Sequence, residues 1–300
     1  MKGVAAAPVS FGVFEMTADG PLPAPDELLE IVRDAGYDGI DLGPVGWLGW
    51  DDEIAARLRR HDLVLCGGWV DLPFSDDDAF QAALPGLDDA LAVFVAAAEV
   101  DPARPPLPTL ADSGSELRRA NPGGAMPGLE LDGAGWDRLA ANVTAAATRV
   151  RDAGLEPTFH HHVSTYIETP DEIRQLLERT DIGLTLDSGH LLLAGGDPVD
   201  ALHEWGSRIN HVHVKDTRLA VLEKVLAAGG DMRAAWEQGV FVPLGAGDLE
   251  LVAFMDTLAG RGFDGWVVVE QDVILGPSVP ADRPAADQRA NREALRRWFP

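Results

Sequence analysis

Residues 183–216, GLTLDSGHLLLAGGDPVDALHEWGSRINHVHVKD, carry the pattern that decides the fold. An apolar run at 182–187 ends in Asp187-Ser188-Gly189-His190, Asp197-Pro198 opens a short helix that closes before Gly206, and a second apolar run at 209–214 leads into Lys215-Asp216. Strand, helix and strand in that spacing form a βαβ unit, whose two strands lie parallel in one sheet. Asp187 at one strand end, with His211 and His213 on the next, offers the hard and borderline donors that a divalent metal takes together.

Outward from this unit the same alternation continues. Strands are expected at 4–10, 39–42, 63–70, 107–111, 156–162 and 265–270, and helices at 26–35, 51–60, within 76–100, 136–153, 219–228, 249–259 and 287–298. Gly36 and Gly154 stand where helix-terminating glycines belong. Thr169-Pro170-Asp171-Glu172 spells a capping box, with Thr as N-cap, Pro at N1 and Glu at N3. Eight strands interleaved with helices predict an α/β protein, a single-domain (β/α)₈ TIM barrel over residues 1–300. Residues 112–135 read as a long loop and 229–247 as an irregular arm; either is placed to cover the barrel mouth or to serve a subunit interface, which leaves a homo-oligomer open.

The 300 residues carry 49 acidic against 24 basic side chains, a formal charge of −25. Such a surface repels a phosphate backbone, so nucleic acid is not expected as a partner. No uncharged apolar run reaches the roughly 18 residues of a membrane span, so no membrane is expected either. The single cysteine, Cys66, fits a reducing compartment and a cytoplasmic protein.

In such a barrel the active site lies at the C-terminal strand ends. Strand five ends in His160-His161-His162, strand six in Asp187 and His190, strand seven in His211, His213, Lys215 and Asp216, and strand eight in Glu270 and Asp272. Six of the eight histidines therefore fall at three neighbouring strand ends. A lone histidine is more often a satisfied structural residue; this clustering points to a metal site. Lys215, two residues past His213, faces the same side and is expected to reach a substrate oxygen, while Asp216 faces outward. His190 is expected to touch substrate or to orient a ligand.

These pieces, APVSFGVFE, FHHHVSTYIET, LTLDSGHLLLAGGDP, RINHVHVKD, FVPLGAGDLEL and GWVVVEQD, resemble the xylose isomerase-like barrel superfamily of sugar isomerases and epimerases, and within it inosose (2-keto-myo-inositol) dehydratase-like proteins. The resemblance implies a divalent ion, Mn, Co, Zn, Fe or Mg with Mn favoured, held by four strand-end residues. It places three of them on Asp187, His213 and Glu270. The family's E-x-H at the end of strand five is here His160-His161-His162, so the first ligand is either His160 or Glu168. An imidazole there suits Mn, Co, Zn or Fe better than Mg.

Losing one of the family's two glutamates breaks the paired acid and base of a symmetric epimerisation. A dehydration needs a base for the proton α to a ketone, a Lewis acid for the enolate and an acid for the leaving hydroxyl. Glu270 or a histidine is expected to take the proton, and His162, His190 or Lys215 to assist departure of the hydroxyl from a sugar or cyclitol. A ketose or keto-inositol isomerase or epimerase, or a non-catalytic sugar-binding barrel, are the alternatives. Glu15 reads as a loop residue, Trp47, Trp50 and Trp69 as packing or sugar-stacking groups, and the Gly245–Gly247 pair of PLGAGD as a turn rather than a phosphate cradle.

Overall fold

The computed structural model describes residues 1–14, 23–123, 128–276, 279–280 and 282–300; the expectation for Glu15 falls outside them. The described strands are β1 (Gly3–Ala6), β2 (Gly39–Asp41), β3 (Val64–Leu72), β4 (Leu107–Asp112), β5 (Thr158–His160), β6 (Gly183–Asp187), β7 (Ile209–Val214), β8 (Asp216–Thr217), β9 (Phe241–Val242) and β10 (Trp266–Val269). Eight of them close a parallel barrel in the order β1-β10-β7-β6-β5-β4-β3-β2, while β8 and β9 pair separately as an antiparallel ribbon.

Strand alternation sorts the side chains. Leu184, Leu186, Val212, Val214, Val267 and Val269 face outward into the shell against the helices. Ala5, Ala7, Cys66, Leu107, Trp266 and Val268 form a separate buried cluster inside the barrel, where small residues leave room for the Trp266 indole. Above it the interior turns polar: Thr158 and Thr185 share a hydrogen bond of 2.8 Å. The ligand-bearing ends stand on that layer, with Asp187 in register with His213 and His160 in register with Thr185.

Several boundaries differ from the sequence expectation. β1 stops at Ala6 because Pro8, which has no N–H to donate, starts a 3₁₀ turn over Pro8–Phe11. The helix expected from 136 begins at Gly133, where the Asp132 side chain accepts from the Gly135 N–H. The final helix runs over Arg283–Ala294, earlier than expected. The capping box at Thr169 and Glu172 forms as read. Residues 112–135 contain a short helix, Glu116–Ala120, and the arm contains a helix, Met232–Glu237, followed by β9.

One described helix, Asp77–Ala98, is long and apolar enough by composition to cross a membrane. It carries Asp88 and Asp89 at its middle and lays Phe80, Leu87, Leu91 and Phe94 into the core.

Candidate metal centre

Asp187 ends β6 and caps the short helix Ser188–Leu193: its Oδ1 accepts from the His190 N–H at 2.8 Å. Its Oδ2 is fully buried and has no hydrogen-bond partner. That oxygen lies 3.5 Å from His160 Nε2 and 3.8 Å from His213 Nδ1. Glu270 follows β10, its N–H extending the ladder to the Val214 carbonyl at 3.1 Å, and its Oε2 lies 3.3 Å from His213 Nδ1. The two imidazole nitrogens are 3.1 Å apart.

Four donors thus face one point, their ligand atoms all within 4.8 Å of one another. Donors around a tetrahedral ion at ~2.1 Å would stand about 3.4 Å apart, so the spacing suits a transition-metal-sized ion. The observation that this fit rests on is Asp187 Oδ2, which accepts no hydrogen bond and has the Lys215 ammonium only at 3.4 Å: a buried anionic oxygen so placed is costly unless a further cation meets it.

Electrostatics say the same. Burial alone would raise both carboxyls and lower His213. Instead, Lys215 and His160 hold Asp187 well below the usual carboxylate range, and His213 and Lys215 do so for Glu270. Glu270 in turn raises His213 above an ordinary histidine. His160, by contrast, is lowered by burial and stays a neutral donor. Binding an ion requires His213 to release its proton; Asp187, Glu270 and Asp272 then set three negative charges against the one ammonium of Lys215. Two uncompensated charges in a buried site are what a divalent ion neutralises.

Glu168 is elsewhere. Fully buried, it pairs with Arg118 Nη1 at 3.4 Å and accepts from the Gly123 N–H, and burial pushes it up to about 7. Arg118, itself 1% exposed, also bonds Glu172 and the Leu129 carbonyl and stacks over Tyr166. The glutamate expected as an alternative ligand therefore anchors the 112–135 segment beside the capping box, and His160 completes the four donors.

The supporting residues are local. His161 Nε2 accepts from the Asp187 N–H at 3.2 Å. Ser188 Oγ accepts from the Lys215 N–H at 2.9 Å and donates to the Lys215 carbonyl at 2.8 Å, tying the ends of β6 and β7. Gln271 is fixed by Ser10, Asp287 and Asn291, which sends Asp272 back toward the mouth. Asp216 faces away, its carboxylate gathering the N–H groups of Gly245, Gly247 and Leu249 at 2.8, 3.0 and 3.0 Å. The glycine pair of PLGAGD lies in a turn, as the sequence suggests, and its N–H groups are taken up by the chain's own Asp216.

A cavity of about 200 Å³ opens beside the centre. His160, His162, His213, Lys215, Glu270 and Asp272 give its polar wall, and Trp69, Phe14 and Trp236 its aromatic one. Trp50 is largely exposed and Trp47 packs on the core, so of the three tryptophans only Trp69 lines the cavity. Lys215 Nζ lies 2.9 Å from Glu270 Oε2, 2.8 Å from Asp272 Oδ1 and 3.0 Å from His190 Nε2. These partners already surround the ammonium, so the substrate contact expected for Lys215 competes with them.

His162 and His190 stack at 3.7 Å between centroids, and burial keeps both neutral, His162 down to about 3. The sequence reading missed Asp41, which ends β2 inside the cavity and which burial raises to about 7, and the arm's Trp236 and Phe241. Strand alternation places Asp41 inward with the other strand-end acids; no sequence signal marks the two aromatics.

A closed (β/α)₈ barrel with two histidines and two carboxylates converging at its mouth defines a barrel with a candidate strand-end metal site. The chain belongs to the xylose isomerase-like TIM barrel family, whose model matches residues 29–298. It is 33% identical over 270 residues to the rhizopine catabolism protein MocC of Rhizobium meliloti, covering 86% of this chain and 77% of that one. It is 27% identical over 276 residues to the inosose dehydratase of Geobacillus kaustophilus, covering 89% and 86%. Among solved structures, the probable 3-DHS dehydratase AsbF of Bacillus anthracis matches with a TM-score of 0.69 at 16% identity, over 99% of both chains. An L-ribulose 3-epimerase matches at 0.66 and 19%, over 100% of this chain and 97% of that one.

Proposed function

We propose that this protein is a divalent-metal-dependent dehydratase of a cyclic polyol ketone, an inosose or a close relative. The observation that carries the reading is the convergence of His160 Nε2, Asp187 Oδ2, His213 Nδ1 and Glu270 Oε2 beside a cavity of about 200 Å³. The inosose dehydratase relatives supply the substrate class. Two imidazoles and two carboxylates favour Mn, Co, Zn or Fe over Mg, and Mn is our choice. A divalent ion held there would supply the Lewis acidity that stabilises the oxyanion developing as the α-proton leaves.

The chain's own groups supply the rest. Trp69 and Trp236 give a cyclitol ring an apolar wall and exclude water. Glu270, kept ionised, faces the cavity and takes the proton α to the ketone. Lys215 positions Glu270 and Asp272 through its ion pairs. Asp41, which lines the cavity and which burial raises to about 7, gives a proton to the departing β-hydroxyl, while His162, its Nδ1–H held by the Val163 carbonyl and its ring packed on His190, offers a bare Nε2 that accepts from a substrate hydroxyl. The proton removed at carbon and the hydroxyl lost at its neighbour leave together as water. His160 in place of a glutamate removes the second anionic base that an epimerase uses, which favours dehydration over epimerisation. A lone buried cysteine, Cys66, accords with a cytoplasmic setting.

The test is turnover of 2-keto-myo-inositol followed in the ultraviolet. Dehydration gives a conjugated diketone with new absorbance; an isomerised product without it would replace this reading with a ketose or keto-inositol isomerase. Glu270→Gln is expected to abolish turnover and to weaken metal binding, and a variant with unchanged activity and metal content would remove Glu270 from both roles.

A further inference from the structure

We propose that Lys215 is a built-in counter-ion occupying a second cation site of this centre, so that the chain takes one divalent ion where its donors alone would take two. This rests on the metal-centre reading above. His162, His190 and Asp272 form a second group of donors, outside the first four, whose ligand atoms also lie within 4.8 Å of one another. Between the two groups sits the Lys215 ammonium, 3.0 Å from His190 Nε2, 2.8 Å from Asp272 Oδ1, 2.9 Å from Glu270 Oε2 and 3.4 Å from Asp187 Oδ2.

The position is built for that ammonium. A Cβ at residue 189 would come within 2.7 Å of Lys215 Cγ, so the glycine of Asp187-Ser-Gly-His190 is what lets the lysine stem pass. The Phe241 ring covers Nζ at 4.9 Å to its centroid. The charge count closes as well: the carboxylates of Asp187, Glu270 and Asp272 are balanced by one ammonium and one divalent ion, and a second divalent ion beside Lys215 would leave the buried site strongly positive. Remove the ammonium, and two imidazoles and a carboxylate remain as an open three-ligand site of the kind zinc takes with water as fourth ligand.

The experiment strips the folded protein with a chelator, saturates it with zinc, removes excess and counts zinc per chain by elemental analysis. Cobalt absorption then reports the ligand field. Wild type is expected to hold one ion, Lys215→Met two, and Lys215→Met with Asp272→Asn one again. The second ion should add cobalt bands absent from wild type. Two ions in wild type, or one ion in a Lys215→Met protein whose circular dichroism is native, would overturn the proposal. Lys215→Gln, neutral but still polar, carries the same expectation of two ions should the methionine variant not fold. Wild type that holds no ion would instead contradict the metal-centre reading itself.

Discussion

Asp187 divides its carboxylate between two tasks, and the division explains the motif around it. Oδ1 caps the helix that starts at Ser188, which fixes the rotamer, and the fixed rotamer turns Oδ2 to the centre. His161 works one step back, its Nε2 accepting from the Asp187 N–H. Burial lowers its pKa from 6.5 to about 3. Below the unfolded value the unfolded chain takes up a proton that the folded one refuses, so stability is lost as pH falls from 6.5 toward 3. In His161→Gln that contribution is absent, and wild-type stability is expected to fall more steeply over this window, by at most about 1.4 kcal/mol per pH unit. Denaturant unfolding across pH measures it; equal slopes would contradict a neutral His161. Asp187, His213 and Glu270 were legible in the sequence because strand alternation aims every second residue of a strand end into the barrel. Between His160 and Glu168 the sequence favoured His160 by position alone; that Arg118, fifty residues upstream, pairs with the glutamate was not readable there.

Two segments that the sequence left irregular are held by different means, and the arm reaches the mouth. The arm contributes Trp236 and the β8–β9 ribbon, which sets Phe241 against His190 and Lys215. The 112–135 segment is pinned by a buried guanidinium between Glu168 and Glu172. Neither was readable from hydrophobic periodicity, since a two-residue ribbon and a buried ion triad are made by partners distant in sequence. Arg118→Met would leave two carboxylates buried without their cation, and a loss of about 3 kcal/mol is expected in unfolding. Metal content should be unchanged, because Glu168 lies outside the four donors. An unchanged unfolding midpoint, or loss of metal, would show that this triad does something else.

At the scale of the whole molecule, the barrel was legible because eight βα units repeat one pattern, and the boundary errors gather where Pro8 or a capping side chain such as Asp132 shifts an end by a few residues. The closed sheet turns that repeat into chemistry. It brings His160, Asp187, His213 and Glu270, from four strand ends, around one point, inside a chain whose charge of −25 already favours cation uptake. The most direct test of this arrangement is anomalous diffraction from crystals of the protein loaded with manganese or zinc. The expected result is one peak bonded to His160 Nε2, Asp187 Oδ2, His213 Nδ1 and Glu270 Oε2, with Glu168 still paired to Arg118. A peak coordinated by Glu168, or none among these four side chains, would contradict it.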